Sequence, residues 1–166
     1  MSLTLITPVN DVFRRDLDVA DTTLLDPLEA GAGGPPAVGA AFAQGEWLII
    51  DASGELIRHT GAAVIGSFQL FTQPGDGAAQ ALGKATVLQL HEYEAETDMF
   101  NSALTYLAGE PLKVALLNID GIQRAGLTNA AVVAKDIVVG FVTQTPLLNA
   151  NSMLRFQKCP PYSYGG

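Results

Sequence analysis

The alternation of apolar and polar residues along the chain predicts a protein made almost entirely of β-strands. The longest alternating stretch covers residues 84–100, in which Leu88 and Leu90 share one side. Before His91 the even-numbered residues include these leucines, whereas after it the odd-numbered residues, starting with Tyr93, are the less polar ones. A period of two is the signature of a strand. Held straight, this stretch would span more than about 50 Å, so we expect a bend at Leu90 and His91 that turns the corner of a barrel or sandwich.

Two other segments, residues 45–58 and 109–124, each predict a strand, a turn and a second strand. The turns carry Asp, Ser, Asn and Gly, which adopt turn conformations readily. Both segments begin with Gly-Glu and end with Arg. We interpret them as two similar hairpins, because the similarity is too slight to indicate a duplication.

Two later segments carry different signals. Residues 136–145 are apolar on both faces and predict a central strand, in which Gly140 marks a bulge or the close approach of another backbone. Residues 100–107 place apolar side chains at helical spacing, and Gly109 stands where a helix would end. One short helix is therefore predicted there, and a strand with Leu104 and Tyr106 is the alternative for the same residues.

The chain is predicted to be all-β, as a small barrel or sandwich with an extended N-terminal arm and at most one or two short helices. We expect residues 1–44 to hold the arm, an edge strand and a Gly/Pro loop, residues 45–158 to form the core, and residues 159–166 to form a C-terminal tail. The loop is placed at residues 28–38, because three glycines and a Pro-Pro pair oppose regular structure.

Charge is the most informative part of the composition. Charged side chains make up 16% of the 166 residues, against about 25% in typical domains. This deficit suggests either a surface that is partly covered in an assembly or a small β protein that is rich in Ala and Gly. The net charge of −8 opposes binding to nucleic acid, because phosphate recognition needs clustered Lys and Arg. No apolar run predicts a membrane-spanning helix, and no secretory signal is recognised. Cys159 is the single cysteine, so it is expected to be an inert thiol or to bridge two chains.

Four acidic residues lie on one side of the long strand, at intervals of about 6.7 Å. They are Glu92, Glu94, Glu96 and Asp98. This spacing overlaps the separation of roughly 6.5 to 9.5 Å in inverting glycosidases, so a domain that binds or hydrolyses glycans through this face is an alternative function. Neighbouring carboxylates repel one another and favour water, however, and we interpret the row as a solvated strand face.

No catalytic, cofactor-binding or metal-binding residue is predicted, and we expect a protein that is not an enzyme. The two histidines, His59 and His91, have no Cys or second His at ligand spacing. The five aspartates between residues 11 and 26 lack the spacing of a calcium loop. The sequence also lacks the motifs of serine hydrolases, phosphate-binding loops and zinc peptidases.

Four segments resemble the small β-rich decoration, or cement, proteins of tailed-bacteriophage heads. They are GEWLIID at residues 45–51, GKATVL at residues 83–88 with the EAETDMF that follows, AGEPLKV at residues 108–114 and DIVVGFVTQTP at residues 136–146. The resemblance implies a β-barrel or sandwich subunit without catalytic residues, which forms oligomers, commonly trimers. It also implies synthesis in the host cytoplasm and a place on the capsid exterior, bound to the major capsid protein. A tail-tube or head-tail connector component is a second alternative.

The two chain ends are predicted to hold the contacts with the capsid or with other copies. The residues concerned are Leu3, Leu5, Ile6, Val12, Phe13, Tyr162 and Tyr164. Apolar side chains at a chain end need cover, and interfaces favour tyrosine. The alternative to an intersubunit arm is that the N-terminal segment pairs as an edge strand of its own barrel.

Overall fold

The computed structural model describes residues 3–6, 14–25, 41–62, 67–71, 82–88, 92–119, 121–146 and 152–165. Within these ranges the chain forms eleven β-strands and a short 3-10 helix at Thr22–Leu25. The strands are β1 (Leu3–Leu5), β2 (Arg14–Asp18), β3 (Trp47–Ile50), β4 (Leu56–Arg58), β5 (Phe68–Leu70), β6 (Lys84–Leu88), β7 (Tyr93–Thr97), β8 (Pro111–Ile119), β9 (Ile122–Thr128), β10 (Ile137–Gln144) and β11 (Leu154–Ser163). The predicted all-β fold class is confirmed.

Strands β2 to β6 form a first barrel. Their order in the sheet is β2-β6-β5-β3-β4, and all neighbours are antiparallel. The two ends of the sheet meet where Val19, which follows β2, makes an isolated parallel bridge with Leu56 of β4. The N–H of Ala20 donates to the carbonyl of Leu56 at 3.2 Å. The sheet therefore curls until its ends touch.

Strands β7 to β11 form a second barrel in the same way. Their order is β7-β11-β10-β8-β9, and β1 pairs with the outer edge of β7. Phe100, three residues after β7, makes a parallel bridge with Leu127 of β9. The N–H of Leu127 donates to the carbonyl of Met99, and the N–H of Asn101 donates to the carbonyl of Leu127. These contacts join the ends of the second sheet.

The two barrels have the same topology. When the five strands of each barrel are numbered along the chain, both sheets have the order 1-5-4-2-3, and in both the residues after strand 1 form a parallel bridge with strand 3. The sequence predicted two similar hairpins, and these are β3–β4 and β8–β9. The hairpins occupy equivalent positions, so the chain contains the same small barrel twice.

The long alternating stretch is the connection between the barrels. It forms β6 in the first barrel and β7 in the second, and residues 89–91, where the bend was predicted, lie outside the described ranges. Leu88 packs in the same core cluster as Tyr93 and Ala95, whereas Val87 packs in the core of the first barrel. The side of the strand that faces the second core therefore changes from even to odd positions, as the change of parity predicted.

Each barrel has its own core, and the first barrel contributes to both. The first core comprises Leu17, Val19, Leu25, Phe42, Leu48, Leu56, Leu70, Ala85 and Val87. Trp47 and Leu88 of the first barrel instead pack with residues of the second, including Phe156 and Leu127. Trp47 is fully buried, and a buried large apolar side chain contributes about 1.5–3 kcal/mol to stability. The shared core holds the barrels together.

The predicted helix at residues 100–107 is wrong, because the segment has a turn at residues 102 and 103 and is otherwise irregular apart from the bridge at Phe100. Tertiary contacts override its periodicity. The ring of Phe100 packs edge-on against that of Tyr106, with centroids 5.5 Å apart, and the Tyr106 hydroxyl donates to the carbonyl of Asn101. The side chain of Asn101 also accepts a hydrogen bond from the N–H of Ala103, a local bond that favours a turn.

Two predicted boundaries fall elsewhere in the structure. Residues 1–44 supply more than the predicted arm, edge strand and loop, because Leu17, Leu25 and Phe42 are buried in the first core. Residues 159–163 belong to β11 and not to a tail, because they continue to pair with β10. The predicted Gly/Pro loop at residues 28–38 lies outside the described residues.

Candidate interface surface

The C-terminal tyrosines lie on a bulged part of the second barrel. In the β10–β11 register, Gly140 is opposite Lys158 but Val138 is opposite Tyr162, so β11 contains two extra residues. An added Cβ on Gly140 would lie 2.5 Å from the carbonyl oxygen of Gln157. The close backbone approach predicted for Gly140 is therefore confirmed.

The bulge contains two prolines of the segment that was predicted to form a C-terminal tail. Pro160 and Pro161 follow Cys159, and the pairing of β11 with β7 ends at Lys158. Because proline lacks an N–H, it is tolerated in strands at bulges and edges. β11 can therefore continue past the prolines and present Tyr162 on the surface.

Phe141, Tyr162 and Tyr164 form what we call the C-terminal aromatic surface. The rings of Phe141 and Tyr162 stack with centroids 6.3 Å apart and planes at 25°. Tyr162 and Tyr164 are 40% and 39% exposed. The pKa of Tyr162 is raised, mainly by partial burial and to a smaller extent by the neighbouring Cys159 and Tyr164. The surface presents aromatic faces and hydroxyl groups without a formal charge of its own at neutral pH.

Backbone pairing and an ion pair hold this surface in place. The N–H of Tyr164 donates to the carbonyl of Asp136 at 2.8 Å, and the N–H of Lys135 donates to the carbonyl of Tyr164 at 3.0 Å. The carboxylate of Asp136 binds the Lys113 ammonium at 2.7 Å and accepts from the N–H of Val133. The hydrogen bond from Lys113, and then that from Val133, lower the pKa of Asp136. Tyr164 is therefore anchored to the body of the barrel.

The N-terminal residues predicted for the interface have different environments. Leu3 is buried in the second core, Leu5 packs against that core, and Ile6 is 36% exposed. β1 and β11 lie on opposite sides of β7 in the same sheet. The described residues 3–6 therefore form an edge strand of their own barrel, while Val12 and Phe13 lie outside the described residues.

The acidic row follows β7. Glu94 and Glu96 are half-buried on one side of the strand, Glu92 is exposed, and Asp98 is half-buried beyond its end. The carboxylate of Glu94 accepts from Nε of Arg155 at 2.9 Å and from the hydroxyl of Thr143 at 3.1 Å. A partly exposed carboxylate already paired with arginine is a surface ion pair, which differs from the isolated buried acid that glycoside hydrolysis needs.

The remaining chemically active side chains are dispersed among the described residues. Nδ1 of His59 accepts from the N–H of Gly61 at 2.9 Å, and burial lowers the pKa of His59. Burial raises the pKa of the half-buried Cys159 thiol, which reduces the thiolate fraction that reacts. No three possible ligands among the described residues converge on a metal position. His91 lies outside the described ranges.

A buried ion cluster between the barrels was not predicted from the sequence. Glu46 precedes β3, and its Oε2 binds Nη1 of Arg124 on β9 at 2.7 Å. Both side chains are 1% exposed. Oε1 of Glu46 lies 3.3 Å from Nε of Arg58, and both arginines donate to the carbonyl of Ala41. Burial raises the pKa of Glu46, against the lowering effect of the two arginines and of the hydrogen bond from the N–H of Ala43.

No protein-family model, curated protein or solved structure matches the chain. Among the described residues, no helix is long and apolar enough to cross a membrane.

Proposed function

We propose that the protein is a structural virion component that binds the outer surface of a phage capsid and stabilises it by bridging major-capsid subunits. The observation that carries the proposal is the C-terminal aromatic surface. Tyr162 and Tyr164 expose about two-fifths of their area, yet Tyr162 is fixed by β-pairing and Tyr164 by backbone hydrogen bonds. Exposed, preorganised tyrosines lose little entropy on binding and are enriched at protein interfaces.

The composition supports an assembled protein. With 16% charged residues, the chain has few groups to keep a large free surface soluble. The two barrels share a core that contains Trp47, and the Glu46–Arg124 pair links them. A rigid double barrel suits a protein that bridges fixed points on a shell, because it holds its contact surfaces at a fixed separation. Self-association as a trimer, as the resemblance implies, would add avidity to each subunit's contact.

The direct test is co-sedimentation of the purified protein with shells assembled from the major capsid protein of the same genome. We expect the native protein to pellet with shells, and the double variant Tyr162→Ser/Tyr164→Ser to bind at least about tenfold more weakly, because interface tyrosines often dominate affinity. Tyr162→Phe/Tyr164→Phe retains the aromatic faces and is expected to bind. Leu107→Ser removes a 59% exposed apolar side chain from another loop and serves as the surface control.

Failure of the native protein to bind shells would overturn the proposal. Binding to purified tail tubes or connectors instead would favour the tail alternative. Release of reducing sugars from glycans, abolished by Glu94→Gln, would favour the glycan alternative, since Glu94 is one of the two inner carboxylates of the acidic row.

A further inference from the structure

Two elements distinguish the second barrel from the first. Its hairpin strands β8 and β9 have nine and seven residues, whereas their counterparts β3 and β4 have four and three. The second barrel also carries β1 on the outer edge of β7, for which the described part of the first barrel has no counterpart. Because the shorter version already forms a barrel, the added elements are candidates for a role outside folding.

The extension of β8 leaves one of its edges open. β10 pairs with β8 only at Pro111, Leu112 and Lys113, and residues 114–119 pair with β9 alone among the described residues. The N–H and carbonyl of Leu127 both bind residues 99–101, so they point away from β8.

The alternation of a strand then fixes which groups of β8 face outward. Val114 is opposite Leu127 and forms a non-hydrogen-bonded pair with it. Leu116 and Asn118 lie two and four residues after Val114, so their backbone groups point to the same side of the strand as those of Val114. Leu116 and Asn118 therefore direct their N–H and carbonyl groups to the open edge.

The open edge of β8 lacks the features that normally protect a strand. Residues 114–119, VALLNI, contain no charge and no proline, and Leu116 is 40% exposed. The edge strand β2 of the first barrel provides the contrast, because four of its five residues are charged. Charged residues and proline discourage pairing at an edge, and a two-stranded ribbon is marginal in water. The ribbon of β8 and β9 therefore has the chemistry of a strand acceptor.

β1 has the complementary property. The N–H of Ile6 donates to the carbonyl of Glu94 on β7 at 2.9 Å. By alternation, the backbone N–H and carbonyl of Thr4 also point toward β7. Those of Leu3 and Leu5 point to the outer edge, where the described residues provide no partner. Residues 3–6, LTLI, are uncharged. Among the residues that the structure describes, the second barrel therefore has two open, uncharged edges on different strands.

We propose that copies of the chain assemble head to tail, with the open edge of β8 in one copy pairing with β1 of the next. A contact between two different surfaces of the same molecule is heterologous, and such contacts close into rings when the rotation permits. Because residues 3–6 and 114–119 carry no charge, pairing these two edges places no like charges directly opposite each other. The inference deepens the proposed function, on which it rests for its purpose, but the contact itself requires no capsid.

The test compares Asn118→Pro with Asn118→Ala by light scattering at micromolar concentration. Proline removes the outward N–H of Asn118 without removing a bond of the β8–β9 ladder, and alanine retains that N–H. We expect the native protein and Asn118→Ala to be oligomers and Asn118→Pro to be a monomer. Leu5→Pro, with Leu5→Val as its control, is expected to have the same effect from the other side.

Mixing the two proline variants identifies the geometry. Each variant keeps the half of the contact that the other has lost, so the mixture is expected to give a dimer of twice the 17.4 kDa subunit mass. A monomeric native protein, an oligomeric Asn118→Pro or an oligomeric Leu5→Pro would overturn the proposal; the last would indicate a contact between two β8 strands.

If either proline variant fails to fold, hydrogen exchange of the native protein decides the question. Slow exchange at the amides of Leu116 and Asn118 supports the contact, and exchange at the rate of an open edge overturns it. Loss of shell binding by a protein that remains oligomeric would contradict only the proposed function.

Discussion

Each barrel enters its hairpin through a Gly-Glu corner, and the two corners have the same backbone structure. Gly45 and Gly109 have φ values of 86° and 88°. In each corner the glycine N–H and the glutamate carbonyl bond to a single residue of the neighbouring strand. Those residues are Leu70 in the first barrel and Val142 in the second. Each glutamate carboxylate also accepts from the N–H three residues earlier, at 3.0 Å in the first corner and 2.9 Å in the second.

The corners differ in what surrounds the carboxylate. Glu46 is buried between the barrels and binds Arg124, whereas Glu110 is half-buried at the end of the second barrel and accepts from the side-chain amide of Asn129 at 2.7 Å. A neutral donor is sufficient where water also solvates the carboxylate. A carboxylate removed from water needs a paired charge and several hydrogen bonds. The same corner occurs in both barrels, and the packing around each carboxylate determines the partner that it needs.

The largest expected effect follows from removing Arg124. Arg124→Met would leave Glu46 buried with only the partly exposed Arg58 as a charged partner. We expect the free energy of unfolding, measured with urea, to fall by about 3–5 kcal/mol. Arg58→Met is the control and should cost less, since the Arg58 side chain is 29% exposed. Equal losses for the two variants would show that burial does not distinguish the arginines.

The two glycines provide a matched pair. Gly109→Ala places a Cβ with no neighbour within 4 Å and should cost only the left-handed backbone strain, about 1–2 kcal/mol. Gly45→Ala adds a Cβ at 3.0 Å from Oγ1 of Thr97 and 3.3 Å from Cγ of Met99, which should add about 1–3 kcal/mol. Thermal and urea unfolding measure the difference, and a smaller loss at Gly45 would contradict the tight packing of the first corner.

Asn129→Ala tests the second corner. It removes the amide that donates to Glu110 and to the carbonyl of Thr105, each at 2.7 Å. We expect a loss of about 1 kcal/mol in the free energy of unfolding, because solvent can replace part of a half-exposed hydrogen bond. A loss as large as that of Arg124→Met would remove the distinction between the two corners.

The smallest expected effect is a change in how the free energy of unfolding depends on pH. Because burial raises the pKa of Glu46, the folded protein holds this proton more tightly than the unfolded chain. From the ordinary value of 4.5 up to the raised value, unfolding releases the proton, so this group makes stability fall as pH rises. Glu46→Gln should remove that component in urea titrations across this range. Asp136, with its lowered pKa, acts in the opposite sense, because its contribution is lost as pH falls.

Local signals predicted the parts of the fold that depend on neighbouring residues. The two hairpins followed from turn residues and alternation, and the strand position of Gly140 followed from its lack of a side chain. The repeated barrel topology did not follow from local signals, because it depends on strand pairs such as Asp16 with Thr86, which lie far apart in the sequence. The helix prediction at residues 100–107 failed because Phe100 pairs with Leu127.

The buried ion cluster shows the same limit. A glutamate that precedes a strand is usually exposed, and no local pattern indicated that a second barrel would cover Glu46. The only sequence signal was the shared Gly-Glu and Arg of the two hairpin segments. The prolines beside Tyr162 suggested that this residue does not join a core strand and that the chain ends in a tail. Both predictions are wrong, because β11 continues to Ser163 and Tyr162 pairs with Val138. The interface role of both chain ends stays a prediction.

The central claim is that the barrel common to both halves provides the fold, while the open strand edges and the C-terminal aromatic surface make the contacts of assembly. Hydrogen exchange of the protein, free and bound to capsid shells, tests this claim most directly. We predict that the open edge of β8 is already protected in the free oligomer, and that shells add protection at residues 162–165. New protection confined to residues 92–98, or none on addition of shells, would contradict this account.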